Sequence, residues 1–237
     1  MCGRFAFFSP HEAVSRLFGV PDAPAVEPRY NIAPTQSVAA VREAGEPAGR
    51  ELAMLYWGLV PSWAKERSIG ARMINARAET LAEKPSFRVG FRRRRCLVLA
   101  DGYYEWQRSG GRKRPFFIRL ASGEPFAMAA IWERWTDRVS GEALESCAIV
   151  TTAAAASVAQ IHDRMPVILP PASHPQWLDT RSQAVEKLEP LLQPCHAPLL
   201  TCHPVSLRVN NARNQGADLI EPVEQAEPLQ PGEGFGF

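Results

Sequence analysis

Residues 96–152 read "CLVLADGYYEWQRSGGRKRPFFIRLASGEPFAMAAIWERWTDRVSGEALESCAIVTT". Four apolar runs stand out: "CLVLADG" (96–102), "PFFIRL" (115–120), "PFAMAAIWERW" (125–135) and "ESCAIVTT" (145–152). Turn-forming segments such as "RSGGRKR" (108–114) separate them. Short β-branched and aromatic runs bounded by Gly, Ser and Pro predict strands. Upstream, "ELAMLYWGLVP" (51–61) alternates large apolar residues and predicts another strand, ended by Pro61. Strands and helices do not alternate with a fixed period, and no internal repeat exists. The expectation is a single α+β domain with a mixed, mostly antiparallel, barrel-like sheet core and peripheral helices.

"SPHEAVSRLFG" (9–19) predicts a first helix, with Ser9 as N-cap, Pro10 at the first turn, Glu12 completing a capping box and Gly19 ending it. Further helices are expected near 78–90, 153–160 and 182–192. The Pro-rich connector "VPDAPAVEPRYNIAPTQ" (20–36) reads as irregular. The domain is expected to span residues 1–223. The Pro/Gly/Glu-rich stretch 224–237 reads as a disordered tail.

Composition narrows the class. The chain has 237 residues, 46% of them hydrophobic and 22% charged, with net charge +2. No run of 18 or more apolar residues exists, so no membrane span is expected, and Arg4 with Pro10 breaks any signal-peptide pattern. A cytoplasmic monomer is the expectation. Five cysteines without paired short spacing argue against a disulfide framework. Arg88 and Arg92–Arg95 form a basic run that suits either a phosphate-facing patch or a solvated helix end. "CHAPLLTCH" (195–203) invites a zinc reading, but its spacing matches no common zinc pattern and adjacent Cys-His on a strand face opposite ways. No metal and no cofactor are expected.

The chemistry lies at the start of the chain, "MCGRF". With Met1 removed, Cys2 carries an α-amine and a thiol on adjacent carbons. The amine has a reference pKa of ~7.7–8.0 against ~10.4 for lysine, so a useful fraction is nucleophilic at neutral pH. It can attack an aldehyde to give an imine. The thiol can then close on the imine carbon, making a five-membered thiazolidine. An internal Cys or Lys cannot form that ring. A thiol peptidase with the amine as base fits the same residue. Three polar residues in apolar contexts are candidate partners: Asn75 in "ARMINARAET", Glu105 between Tyr104 and Trp106, and His162 in "IHDRMPVIL". A carboxylate flanked by aromatics suits proton transfer, although periodicity alone favours an outward-facing strand residue.

Seven ordered blocks, "MCGRF", "RYNIAPTQ", "WGLVPSWAK", "INARAET", "CLVLADGYYEW", "IHDRMPVIL" and "HPVSLRVNNARNQGADLIEP", resemble the SRAP family (SOS response associated peptidase) over residues 2–223. Leu99 stands where many members carry proline. The resemblance implies action on abasic sites in single-stranded DNA. It implies that Cys2 crosslinks to the opened sugar, Asn75 positions the amine or sugar, Glu105 moves protons, and His162 protonates the sugar oxygen or contacts a phosphate. It further implies that Arg4, Arg77 and Arg164 hold flanking phosphates and that Pro34 and Trp63 form an apolar platform for a neighbouring base. For Trp63, core packing is the competing expectation.

Overall fold

The structure, a computed structural model, describes residues 2–21, 23–44, 49–109 and 111–223. The expected tail at 224–237 lies outside the described residues. In chain order the elements are β1 (Phe5–Phe7), α1 (His11–Phe18), β2 (Arg29–Ile32), β3 (Ser37–Ala44), β4 (Gly49–Trp57), β5 (Asn75–Arg77), α2 (Arg88–Arg93), β6 (Arg95–Ala100), β7 (Gly102–Ser109), β8 (Arg112–Leu120), β9 (Phe126–Thr136), β10 (Ala143–Ala153), β11 (Arg164–Pro166), β12 (Ile168–Leu169), α3 (His174–Leu178), α4 (Val185–Leu188) and β13 (Leu200–Pro204).

Two sheets organise the chain. One has the order β13-β8-β7-β1-β2 and is antiparallel throughout. In the other, β3, β4, β10, β9 and β6 close into a ring, because β10 pairs with β4 in parallel and with β9 antiparallel. Closure removes the exposed edges that a long open sheet would leave. The fold is therefore the expected α+β domain with a barrel-like core.

The five-stranded sheet is covered on both faces. Alternation sends Phe5, Tyr103 and Ile118 into the same core cluster as barrel residues Val98, Met128 and Ile149. It sends Ala6, Tyr104 and Phe117 to the opposite face, where Val205 and Val209 cover them. Gly102 is required where β7 begins. A Cβ there would lie 2.2 Å from the Phe117 ring.

Several local expectations are corrected. α1 ends at Gly19 in the left-handed region (φ 69°), as expected, but Ser9 does not cap it. Asp101 claims Ser9 instead, accepting from the backbone N–H groups of Phe8 (2.6 Å) and Ser9 (2.9 Å) and from the Ser9 hydroxyl. The Pro-rich connector contains β2, because β1 offers a ladder that pairs Phe5 with Ile32. Segment 153–160 forms turns rather than a helix: β10 runs to Ala153, and the Ala155 N–H goes to the Met165 sulfur at 3.3 Å. Segments 78–90 and 182–192 hold only short helical pieces, the former interrupted at Pro85.

The arginine run divides: Arg88, Arg92 and Arg93 are exposed on α2, as a solvated helix end would be, whereas Arg94 and Arg95 turn inward. Arg95 is completely buried. Its guanidinium donates to five carbonyls, those of Trp177 (2.5 Å), Phe91 (2.8 Å), Arg92 (2.7 Å), Asp179 (2.5 Å) and Ser182 (3.0 Å). Arg94 pairs with Glu133 at 2.6 Å. These arginines clamp α2 and α3 to the barrel.

Candidate active site

The N-terminal residues are fixed by the corner between β6 and β7. Asp101 holds Phe8 and Ser9, the Asp101 N–H donates to Ala6 O at 2.9 Å, and the Tyr104 N–H donates to Arg4 O at 2.9 Å. The β1–β7 register pairs Phe5 with Tyr103, so its continuation toward the N-terminus brings residues 2 and 3 alongside Glu105. From the other side, β5 pairs in parallel with β10, which sets Asn75 opposite Ile149. The Asn75 side-chain amide donates to Cys2 O at 2.7 Å, and its Oδ1 is buried with no hydrogen-bond partner. Cys2, Asn75 and Glu105 thus meet between the two sheets.

Burial sets the electrostatics. Glu105 is 3% exposed, and desolvation pushes its carboxyl up to about 7. Cys2 is fully buried, and burial followed by repulsion from Glu105 pushes its thiol well up. Tyr103, on the same face of β7 as Glu105, is raised by burial and then by Cys2 and Glu105. Its hydroxyl is buried without a hydrogen-bond partner. The interior around Cys2 therefore favours neutral forms, and of these groups Glu105 is the one brought to near neutral pH.

His162 stands two residues before β11. Its Nδ1 accepts the Arg164 backbone N–H at 3.0 Å and lies 2.8 Å from a carboxylate oxygen of Asp163. Those two contacts act oppositely to burial and to the amino-terminal charge, which together lower its pKa. Burial is the largest cause. Burial thus favours the neutral ring, with Nδ1 between the Arg164 N–H and the Asp163 carboxylate.

The expected DNA contacts occupy differing environments. Arg77 is exposed. Arg164 is gripped by both carboxylate oxygens of Glu79 (2.5 and 3.0 Å) and donates to Thr151 O at 2.6 Å. Arg4 donates to Asn31 Oδ1 (2.7 Å) and Val209 O (2.8 Å) and lies 6.0 Å over Trp106. Trp63 is 54% exposed, so core packing is excluded for it. Pro34 is half-buried. Thr35, the next residue, is held at φ 68° by its N–H donating to Trp57 O at 2.8 Å. A β-branched residue there is strained, which marks the Pro34–Thr35 turn as tightly specified.

Several supporting residues escape a reading of single motifs. Glu79 neutralises Arg164. Asn31 is fully buried and joins Arg4 to the carbonyls of Val209, Asn211 and Asn214. Gln215 accepts from the N–H groups of Tyr30 and Asn31 and donates to Asn31 O. The signal was the density of amides in "RYNIAP" and "NNARNQG". Among the described residues no group of three or more His, Cys, Asp or Glu side chains is placed to hold a metal. Cys202 packs toward the main core, whereas His203 lies by Phe117 on the other face with Nε2 2.7 Å from Ile220 O. No helix among the described residues is long and apolar enough to cross a membrane.

Known proteins resemble this chain along most of its length. The abasic site processing protein YoqW of Bacillus subtilis is 41% identical over 225 residues, covering 93% of this chain and 99% of the relative. The abasic site processing protein YedK of Escherichia coli is 36% identical over 230 residues, covering 94% and 100%. A crystal structure from Bacteroides thetaiotaomicron superimposes with TM-score 0.84 at 24% identity over 94% of this chain and 100% of that one, which shows a common fold. The family described as SOS response associated peptidase matches residues 1–212, a span that holds Cys2, Asn75, Glu105 and His162 together. The chain belongs to the SOS response associated peptidase (SRAP) family.

Proposed function

We propose that this chain processes abasic sites in single-stranded DNA by trapping the ring-opened sugar on Cys2. One observation carries the reading: a buried cysteine next to the N-terminus, its carbonyl held by Asn75 at 2.7 Å, shares its surroundings with a carboxyl raised to about 7. The relatives named abasic site processing proteins supply the substrate class.

In the proposed sequence Met1 is removed and the Cys2 amine attacks the aldehyde carbon. Water leaves and an imine forms. The sulfur then bonds to the same carbon while the thiol proton passes to the imine nitrogen. One water is released and no electrons are gained or lost. Glu105 takes the ammonium proton and returns it to the departing hydroxyl, a task suited to a pKa near the working pH. The unpartnered Asn75 Oδ1 accepts from the amine. His162 donates to a sugar or phosphate oxygen. Arg77, and Arg164 in competition with Glu79, hold flanking phosphates, and Trp63 with Pro34 stacks a base. Peptidase chemistry needs a thiolate at neutral pH, which burial of Cys2 opposes.

The test is a denaturing gel of the protein with an oligonucleotide bearing one abasic site, with intact mass of the protein. Wild type is expected to start at Cys2 and give a heat-stable shifted band. Cys2→Ser is expected to give only a band that requires borohydride trapping. A heat-stable band from Cys2→Ser, or an active protein that retains Met1, overturns the proposal.

A further inference from the structure

We propose that the β7–β8 hairpin is a phosphate-binding arm that holds the DNA strand where it leaves the site past His162. The inference rests on the single-stranded DNA reading above and extends it to a part of the chain that the lesion chemistry does not use.

The hairpin is basic in a way that the fold does not need. Residues 106–119 contain Arg108, Arg112, Lys113, Arg114 and Arg119 and no Asp or Glu. The strand register sets Arg108 directly opposite Lys113. Like charges placed so disfavour the ladder. Arg108 and Arg112 are exposed, and neither makes an ion pair among the described residues. This contrasts with Arg94, Arg95 and Arg164, whose charges are met by carboxylates or carbonyls.

Arg114 links the arm to the site. The register places Glu105 opposite Phe116 and Gln107 opposite Arg114, so Arg114 shares the sheet face of Glu105, one diagonal step away. It is partly buried, with its guanidinium carbon 5.6 Å over the Phe116 ring, and its Nε is buried with no hydrogen-bond partner. A buried unpartnered guanidinium nitrogen asks for an acceptor, and a phosphate oxygen supplies one. Gln107 Nε2 donates to Gln160 O at 3.1 Å, fastening the hairpin against the loop that carries His162. The positive charge of Arg108 is among those acting on His162. Three residues of strand, about 10 Å, separate Glu105 from Arg108, which with Lys113 faces the other side of the hairpin.

The experiment measures non-covalent binding of the full chain to an undamaged single-stranded oligonucleotide across a salt series, with abasic crosslinking followed separately. For the double variant Arg108→Gln/Arg112→Gln, the slope of log K against log salt is expected to fall by ~1.4, at about 0.7 per lost phosphate contact. Affinity should drop by roughly tenfold at low salt. The crosslinking rate of the single variant Arg112→Gln at saturating DNA should stay at the wild-type value. Arg108→Lys/Arg112→Lys should keep the wild-type slope. Arg114→Gln should lower the slope by a further ~0.7, and the exposed double variant carries the test if Arg114→Gln misfolds. A wild-type slope in Arg108→Gln/Arg112→Gln overturns the arm. A lowered slope in a wild-type background that never crosslinks leaves the arm standing and overturns the covalent reading.

Discussion

Asp101 and Glu105 are two buried carboxylates four residues apart on one β corner, both raised by burial but to different extents. Asp101 faces three donors from residues 8 and 9, which offset much of the burial that raises its pKa. Its role is to pin β1. Glu105 lies in the core between the sheets, where burial prevails and the carboxyl rises to about 7. The first carboxylate is stabilising through the backbone it ties down. The second is costly when ionised, and its place is explained by proton transfer.

Glu105→Gln separates the two most sharply. The amide has nearly the same shape and cannot carry a proton to the substrate, so crosslinking should slow by about 10²-fold or more. Stability should move the other way. Folding raises the carboxyl from 4.5 to about 7, so the folded state binds the proton more tightly than the unfolded chain. The carboxyl therefore costs nothing below pH 4.5, and the cost grows as pH rises, reaching about 3 kcal/mol above pH 7. Urea unfolding at pH 5 and pH 8 should show Glu105→Gln near wild type at the first and more stable at the second. Equal destabilisation at both pH values would make Glu105 a structural pin like Asp101 and break the contrast.

Asp101→Ala tests the other side. It leaves the Phe8 and Ser9 N–H groups without their acceptor and should cost about 2–3 kcal/mol at neutral pH. Because β1 leads to Cys2, crosslinking should fall in step with the population of folded protein. A variant of wild-type stability that loses crosslinking entirely would move Asp101 into the chemistry.

The same corner shows what the sequence made legible. The apolar runs of 96–152 became β6, β8, β9 and β10, because hydrophobic runs bounded by turn residues are local signals. Ring closure through the β10–β4 and β10–β9 pairings joins segments far apart in the chain, and nothing local in "ESCAIVTT" announces two partners. Alternation pointed Glu105 outward, but both faces of its sheet are covered, so Tyr103, Tyr104 and Glu105 are all buried and period carries no information there. Cys2 was legible from chemistry alone, since only an N-terminal cysteine offers both nucleophiles. Asn75 and His162 stand out as polar residues in apolar contexts, and their roles follow from the family resemblance. The clamp on Arg164 by Glu79, like the burial of Arg95, depends on packing that a charge pattern does not contain.

Trp63 supplies the baseline against which both carboxylates are measured. Its ring is 54% exposed, so its removal takes little area from the core. Trp63→Ala should change unfolding free energy by less than about 0.5 kcal/mol. If the ring stacks a base beside the lesion, binding to single-stranded DNA should weaken by ~1–3 kcal/mol. Trp63→Phe should recover most of that loss, because stacking needs an aromatic face rather than the indole N–H. Crosslinking at saturating DNA should keep its wild-type rate, since the ring holds no proton and anchors no backbone. Calorimetry of unfolding beside anisotropy of binding reads both quantities. A stability loss as large as that of Asp101→Ala would place Trp63 in the scaffold. Unchanged affinity would remove it from the DNA surface and leave Pro34 and the arginines to position the strand.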